Sequence, residues 1–237
     1  WEWMEKYEAK TGGKLLAIPH NGNLSNGRMF EETTFTGGPM TKAYAESRQK
    51  WEPLFELTQT KGQSESNPVL SPTDEFASWD LWDRGNLNGA AKKPEMLRTE
   101  YWRAALKSGR RLEAALGVNP FKYGANAATD THTALATGDE DNFWGKFVGA
   151  EPSATRWKPV MIGAGQPGQI YSWEQAASGY TGVWATSNTR AAIWDAMKRR
   201  ETFATTGPRM SVRFYGGYEF TDADTADLVK AGYSKGV

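Results

Sequence analysis

The sequence lacks cysteine and has only two histidines among its 237 residues. The absence of cysteine excludes disulfide bonds, thiolate metal sites and cysteine nucleophiles. The 28 basic and 28 acidic side chains balance, so the chain has no broad positive field for nonspecific nucleic-acid binding. No apolar run approaches the roughly 18 residues of a membrane-spanning helix. We therefore expect neither a nucleic-acid partner nor a membrane span in this chain.

What remains is the composition of a folded globular protein. Hydrophobic residues make up 39% and charged residues 24% of the chain, which are ordinary values for such proteins. The 11 tryptophans are many for this length. Because histidine is a common metal ligand and a common acid or base near neutral pH, the surroundings of each of the two histidines are informative.

Short apolar runs alternate with helical patterns along the chain, which predicts an α/β fold with parallel strands. Long polar stretches at 60–93 and 133–180 predict loop excursions of the kind that carry function. We expect helices at 1–11, 40–50, 94–116 and 189–200, and strands at 14–19, 53–59, 121–129 and 202–206. Alternation over 210–220 predicts one or two further strands.

The strongest local signal is Asp130-Thr131-His132, which follows a predicted strand. In extended backbone, residues two apart point the same way, so this carboxylate and imidazole would project into one pocket. Oxygen and nitrogen ligands together suit zinc, manganese or iron better than calcium or magnesium. The alternative is that Asp130 caps a loop and His132 is an ordinary structural histidine.

His20 strengthens the metal interpretation, because it also follows an apolar run and begins a loop rich in glycine and asparagine. In β/α barrels the catalytic groups lie on loops after the carboxyl ends of the strands. Both histidines and Asp130 occupy such positions. A structural His20 bonded to a backbone carbonyl is the alternative.

Four long blocks resemble the bacterial family DUF3604, a domain of unknown function. They are IPHNGNLSNGRMF (18–30), LTQTKGQSESNPVLSPTDEFASWDLWD (57–83), TDTHTALATGDEDNFWG (129–145) and NTRAAIWDAMKRRETFATTGPRMSVRFYGG (188–217). That family is in turn similar to the PHP (polymerase and histidinol phosphatase) superfamily of metal-dependent phosphoesterases. The resemblance implies a distorted PHP-like β/α barrel with two or three divalent metal ions.

The resemblance also implies ligand roles. His20 matches a lone histidine of the PHP pattern, and Asp130 and His132 match its late Asp-x-His. The early His-x-His of that pattern has no counterpart here. We therefore expect residues 1–209 to be the later part of a partial barrel, completed by a missing N-terminal segment or a second chain, and residues 210–237 to start a C-terminal β extension.

Substrate-binding candidates are basic side chains in polar loops or near helix ends. A guanidinium can bind phosphate or sulfate through two parallel hydrogen bonds, which makes Arg190 and Arg209 candidates, and Lys61 lies in a polar loop. Glu56 is either a carboxylate that supports a ligand or an inward-facing polar residue of a strand. The acidic run 139–141 is more typical of a solvated loop than of a ligand set.

These observations predict a metal-dependent hydrolase that acts on a small phosphoester or related ester. A divalent ion lowers the pKa of water from about 15.7 towards 7, so no protein nucleophile is required. His20, Asp130 and His132 would be both the metal ligands and the catalytic residues. The alternative is a carbohydrate-binding or scaffolding module without catalysis, in which exposed tryptophans such as Trp79 and Trp82 would be stacking platforms.

Overall fold

A parallel pair of strands forms the centre of the fold in the computed structural model, which describes residues 1–133, 146, 153–175 and 179–236. Strand β1 (Leu54–Gln59) pairs in parallel with β3 (Gly124–Ala127) and antiparallel with β2 (Gly62–Gln63), giving the order β2-β1-β3. Two-stranded antiparallel sheets are formed by β4 (Val160–Ile162) with β5 (Ile170–Tyr171), and by β6 (Thr181–Val183) with β7 (Thr202–Ala204).

The helices are α1 (Glu2–Thr11), α2 (Lys42–Trp51), α3 (Trp102–Leu116), α4 (Arg190–Lys198) and α5 (Leu228–Lys235). Short 3-10 helices cover Gly22–Leu24, Pro94–Thr99, Ser172–Glu174 and Asp222–Asp227. The α/β class is thus confirmed. The strands do not close into a barrel within the described part of the chain.

Local sequence signals explain several of the helix ends. Thr41 and Thr189 accept hydrogen bonds from the backbone of Tyr44 and Ala192, which caps α2 and α4 at their N-termini. Gly12 and Gly117 adopt the left-handed conformation after α1 and α3, the usual role of glycine at a helix C-terminus.

One predicted strand and one predicted helix differ from the structure. The apolar run 14–19 is not a strand. Two backbone hydrogen bonds tie it to the chain beside it: Ala17 N–H donates to the Trp51 carbonyl, and the Pro19 carbonyl accepts from the Glu56 N–H of β1. Pro19 lacks the N–H that a longer ladder would need. The helix predicted at 94–116 divides at Tyr101, whose backbone is extended. There the N–H of Trp102 donates to Ser64 C=O, so tertiary hydrogen bonds override local propensity.

The strands predicted from 210 to 220 are wrong. This fully described stretch contains neither helix nor strand, and the chain continues into a 3-10 helix and α5. An alternating pattern forms a strand only where a neighbouring strand pairs with it, and Phe214 and Tyr218 are fully or mostly exposed. The β extension expected for 210–237 is therefore absent from residues 210–236.

An aromatic core packs α2 and α3 against the central sheet. Phe30 meets Phe55 and Phe121 edge to face, with ring centroids 4.8 and 5.7 Å apart. Gly109 of α3 lies so close to Asn119 that a Cβ would stand 2.2 Å from its side-chain oxygen. The buried members of the cluster are Phe30, Met40, Ala45, Phe55, Leu57, Ala105, Leu112, Phe121 and Tyr123. This core fixes the sheet whose carboxyl edge carries the site.

Candidate functional site

The predicted ligand Asp130 lies just beyond β3, and Lys61 lies in the turn that joins β1 to β2. Because β1 and β3 are parallel, both residues stand at the same edge of the sheet. Asp130 has a φ of 53°, a left-handed conformation that aspartate adopts more readily than most residues. The sheet and this unusual backbone conformation together bring the Asp130 carboxylate over the β1–β2 turn.

Two lysines share the Asp130 carboxylate. The ammonium groups of Lys61 and Lys146 both form close ion pairs with its Oδ2, and Lys146 also donates to the Asp130 backbone carbonyl. The side chains of these lysines are 9% and 4% exposed. Two cations therefore converge on one carboxylate in a mostly buried place.

His132 lies beside the same carboxylate, as the spacing predicted. Its Nε2 is 3.3 Å from Asp130 Oδ1 and 3.2 Å from Lys146 Nζ, and its side chain is 56% exposed. Two ligands of one tetrahedral ion with bonds of about 2.1 Å are about 3.4 Å apart. Asp130 and His132 thus fit a divalent ion as a two-ligand set, and the described residues contain no group of three or more such ligands.

Glu56 of β1 connects His20 to this cluster. Burial raises the pKa of the Glu56 carboxyl, while a hydrogen bond from Gln59 and the positive charges of His20, Lys61 and Lys146 oppose that rise. Gln59 Nε2 donates to Glu56 Oε1 at 2.6 Å. His20, Lys61 and Lys146 therefore all lie near one carboxylate, and His20 itself is exposed.

The electrostatics of the cluster disfavour full charging of its basic groups. Burial lowers the pKa of Lys61 to about 7, with repulsion from Lys146 as a further cause. Burial also lowers the pKa of Lys146 to about 8. The ammonium of Lys146 is the main reason that the pKa of His132 falls below its ordinary value. The cluster can therefore exchange protons near neutral pH.

A buried polar network holds the Lys61 turn in place. Asn23 donates from Nδ2 to the carbonyls of Lys61 and Trp82, at 2.9 and 3.0 Å, and accepts from Ser64 Oγ at 2.9 Å. Asn23 is 2% exposed. These contacts show that Asn23 orients the backbone of the turn.

Each of the two arginine candidates has other contacts in the structure. Arg190 begins α4 and lines a cavity of about 1350 Å³, which is not lined by His20, Asp130 or His132. Arg209 stacks over the Tyr180 ring at 5.2 Å. Neither arginine contacts the cluster in the described structure, so their substrate roles stay predictions. Of the three substrate-binding candidates, Lys61 alone is brought to Asp130.

The tryptophans of the first excursion have opposite environments. Trp82 is 6% exposed and donates its indole N–H to the Glu174 carbonyl at 2.7 Å, so it cannot be a stacking platform. Trp79 is 58% exposed. Each tryptophan is followed by an aspartate in the sequence, so the sequence does not distinguish them. Their different exposure results from how the folded chain packs around them.

Lys146 is the main site residue that the sequence analysis missed. It stands 14 residues after His132 along the chain, where no motif singles it out. Its backbone carbonyl accepts from the His132 N–H at 2.7 Å. For Glu56 the sequence predicts either a carboxylate that supports a ligand or an inward-facing polar residue of a strand. The acidic run 139–141 and much of the predicted excursion 133–180 lie outside the described residues.

Fold and cluster together define a mixed α/β protein with an Asp-x-His pair and two lysines at the carboxyl edge of its central sheet. The chain belongs to the protein family of unknown function DUF3604, whose model matches residues 1–237. No curated protein and no solved structure matches it. None of the helices in the described part of the chain is long and apolar enough to cross a membrane.

Proposed function

We propose that this chain carries part of the active site of a metal-dependent hydrolase that acts on phosphoesters or related anionic esters. The observation that supports this most is the 3.3 Å approach of Asp130 Oδ1 to His132 Nε2 beside two buried lysines. The resemblance to the PHP superfamily points to the same chemistry. Our proposal includes zinc, manganese or iron as the ion.

Asp130 and His132 would hold the ion, whereas His20 and Glu56 do not join them as a third ligand within the described part of the chain. When bound, a divalent ion would supply Lewis-acid polarisation of an ester oxygen and a lower pKa for water. The chain need not provide a nucleophile of its own. Asp130 is preorganised for this role because its backbone conformation and both lysines fix the carboxylate.

Lys61 and Lys146 would bind the anionic oxygens of the substrate. Two ammonium groups that already share one carboxylate oxygen can together pair with a phosphoryl or sulfuryl group, for which charge-assisted hydrogen bonds are strong. A pKa of about 7 also allows Lys61 to donate a proton to a leaving oxygen near neutral pH. These roles favour a small substrate with at least one negative charge.

Metal binding by the Asp130→Asn variant tests the proposal. Asparagine tolerates the left-handed backbone of this position, but the variant leaves Lys61 and Lys146 without their counter-ion. Metal binding is therefore compared at a temperature at which circular dichroism shows the variant to be folded. We expect titration calorimetry with zinc or manganese to show affinity at least about tenfold weaker than in the unchanged chain. Asp195→Asn is the matched control, because Asp195 is a 68% exposed carboxylate on α4.

Hydrolysis provides the second measurement. We expect p-nitrophenyl phosphate or its bis ester to be cleaved only with a divalent ion present, and more slowly by about 100-fold or more in Asp130→Asn. Equal zinc and manganese affinity in Asp130→Asn and in the unchanged chain would contradict the proposal. Cleavage that persists after chelation would do so as well.

A further inference from the structure

The first excursion builds a second cavity from residues that the hydrolase proposal does not use. It has a volume of about 350 Å³ and is lined by Gln63, Glu65, Ser66, Asp74, Phe76, Trp79, Arg103 and Thr206. None of the predicted metal ligands lines it. Two aromatic rings, two carboxylates and one guanidinium thus surround one small space.

Both aromatic side chains are largely exposed to solvent. Phe76 is 70% and Trp79 is 58% exposed. A single exposed apolar side chain needs no explanation, but two that line the same cavity form a patch of the kind that binds ligands. Between them in sequence, Ala77 is fully buried. The turn therefore anchors one apolar residue and presents two others.

The turn is fixed by hydrogen bonds at its base. Asp74 Oδ1 accepts from the Phe76 N–H at 2.9 Å, and its other oxygen pairs with Arg103 of α3. Arg103 also donates twice to Glu65 Oε1, at 2.6 and 3.0 Å. The rings are consequently preorganised on a tethered turn, which reduces the entropy cost of binding a ligand.

The charges of the cavity exclude an anionic ligand and leave acceptors for hydroxyl groups. One guanidinium faces two carboxylates, so the net charge is negative. Glu65 Oε2 makes no hydrogen bond within the described part of the chain and is free to accept one. The guanidinium already satisfies much of the carboxylate charge, which disfavours a quaternary ammonium ligand. An uncharged polyhydroxyl ligand with an apolar face fits these features best.

We propose that this cavity is a saccharide-binding subsite, in which Phe76 and Trp79 stack on sugar rings while Glu65 and Asp74 accept hydrogen bonds from hydroxyl groups. The inference does not rest on the hydrolase proposal, since it concerns binding without a metal ion. Of the two tryptophans expected in a carbohydrate-binding module, Trp79 and Trp82, the subsite uses only Trp79, because Trp82 is buried.

Titration calorimetry of the metal-free chain with cellohexaose, xylohexaose and maltohexaose tests the subsite. We expect at least one of these uncharged hexasaccharides to bind, and Trp79→Ala and Phe76→Ala each to weaken its Kd about tenfold. Both side chains are exposed, so the variants should fold and melt like the unchanged chain.

Trp157→Ala is the matched control, because Trp157 is 54% exposed and lies outside the cavity. Its affinity should equal that of the unchanged chain. The proposal is overturned if none of the three hexasaccharides binds, if Trp157→Ala weakens binding as much as Trp79→Ala, or if tetramethylammonium binds and the saccharides do not.

Discussion

A buried ion pair between Lys92 and Glu100 offers a sharp test of the structure. Lys92 Nζ lies 2.8 Å from Glu100 Oε2, and the two side chains are 6% and 0% exposed. Lys92 also donates to the Asn23 carbonyl at 2.5 Å, and Glu100 Oε1 accepts from the Gly27 N–H at 3.0 Å. The pair thus joins the loop after His20 to the start of α3. We consider Lys92→Met, which removes the cation and keeps the apolar stem.

The expected cost is large because the variant leaves a buried carboxylate without its counter-ion. Removal of one partner from a buried ion pair typically costs about 3–5 kcal/mol. A chain of this size loses about 2–4 °C of Tm for each kcal/mol. We therefore expect Lys92→Met to melt about 6–20 °C below the unchanged chain at neutral pH.

The deficit should depend on pH. Burial raises the pKa of Glu100 above its ordinary value, although Lys92 opposes the rise. Without Lys92 the pKa of Glu100 rises further, so between the ordinary pKa and this raised value the folded variant binds a proton that the unfolded chain does not. Its stability therefore increases as the pH falls below the raised pKa towards the ordinary value. Thermal melts followed by circular dichroism at about pH 5 and about pH 8 would measure this difference.

Two companion variants complete the test. Glu100→Gln in the Lys92→Met background should recover much of the loss, because the amide still accepts from Gly27 and carries no charge. Lys93→Met, at the exposed neighbouring lysine, should change Tm little. A deficit below about 1 kcal/mol, or one of equal size at both pH values and without rescue, would refute the reasoning.

Three further variants test the site and its supports by chemical denaturation. Glu56→Gln should stabilise the fold at neutral pH by on the order of 1 kcal/mol, because burial raises the pKa of the Glu56 carboxyl. The gain should vanish below about pH 4.5, where the carboxyl is protonated in both the folded and the unfolded state. An equal gain at acid pH would contradict this reasoning. Gly22→Ala should destabilise by about 1–3 kcal/mol, because a Cβ there would lie 2.5 Å from the Glu100 carbonyl; an unchanged unfolding midpoint would be the contrary result. Thr189→Ala should cost about 1 kcal/mol by removing the cap of α4, whereas Thr189→Ser should not.

The sequence was most informative where local chemistry decides the structure. Helix ends at Thr41, Thr189 and Gly117 follow from capping. The Asp130–His132 neighbourhood follows from the two-residue spacing, although the left-handed backbone of Asp130 replaces the extended conformation that was expected. The sequence was least informative where contacts between residues distant in the chain determine the backbone conformation. The break before α3 depends on the bond from Trp102 to Ser64, which no local pattern encodes.

The candidate site divides in the same way. Asp130 and His132 could be found because they are close in sequence and carry ligand chemistry. Lys146 could not be found, because no motif marks a functional lysine at that position and its ion pair joins it to Asp130, 16 positions earlier in the chain. Arg190 has the right chemistry to bind an anion, but it lines a different cavity. The type of a residue alone does not predict where its side chain lies.

The link between Trp82 and Glu174 has a consequence for the order of folding. It joins residues 92 positions apart, and Arg84 pairs with the same Glu174. Contacts between residues so far apart form only after a long loop has closed, which slows their formation. Helices α2 and α3 need no such closure. The segments around Trp82 and Glu174 should therefore become ordered together, and later than helices α2 and α3.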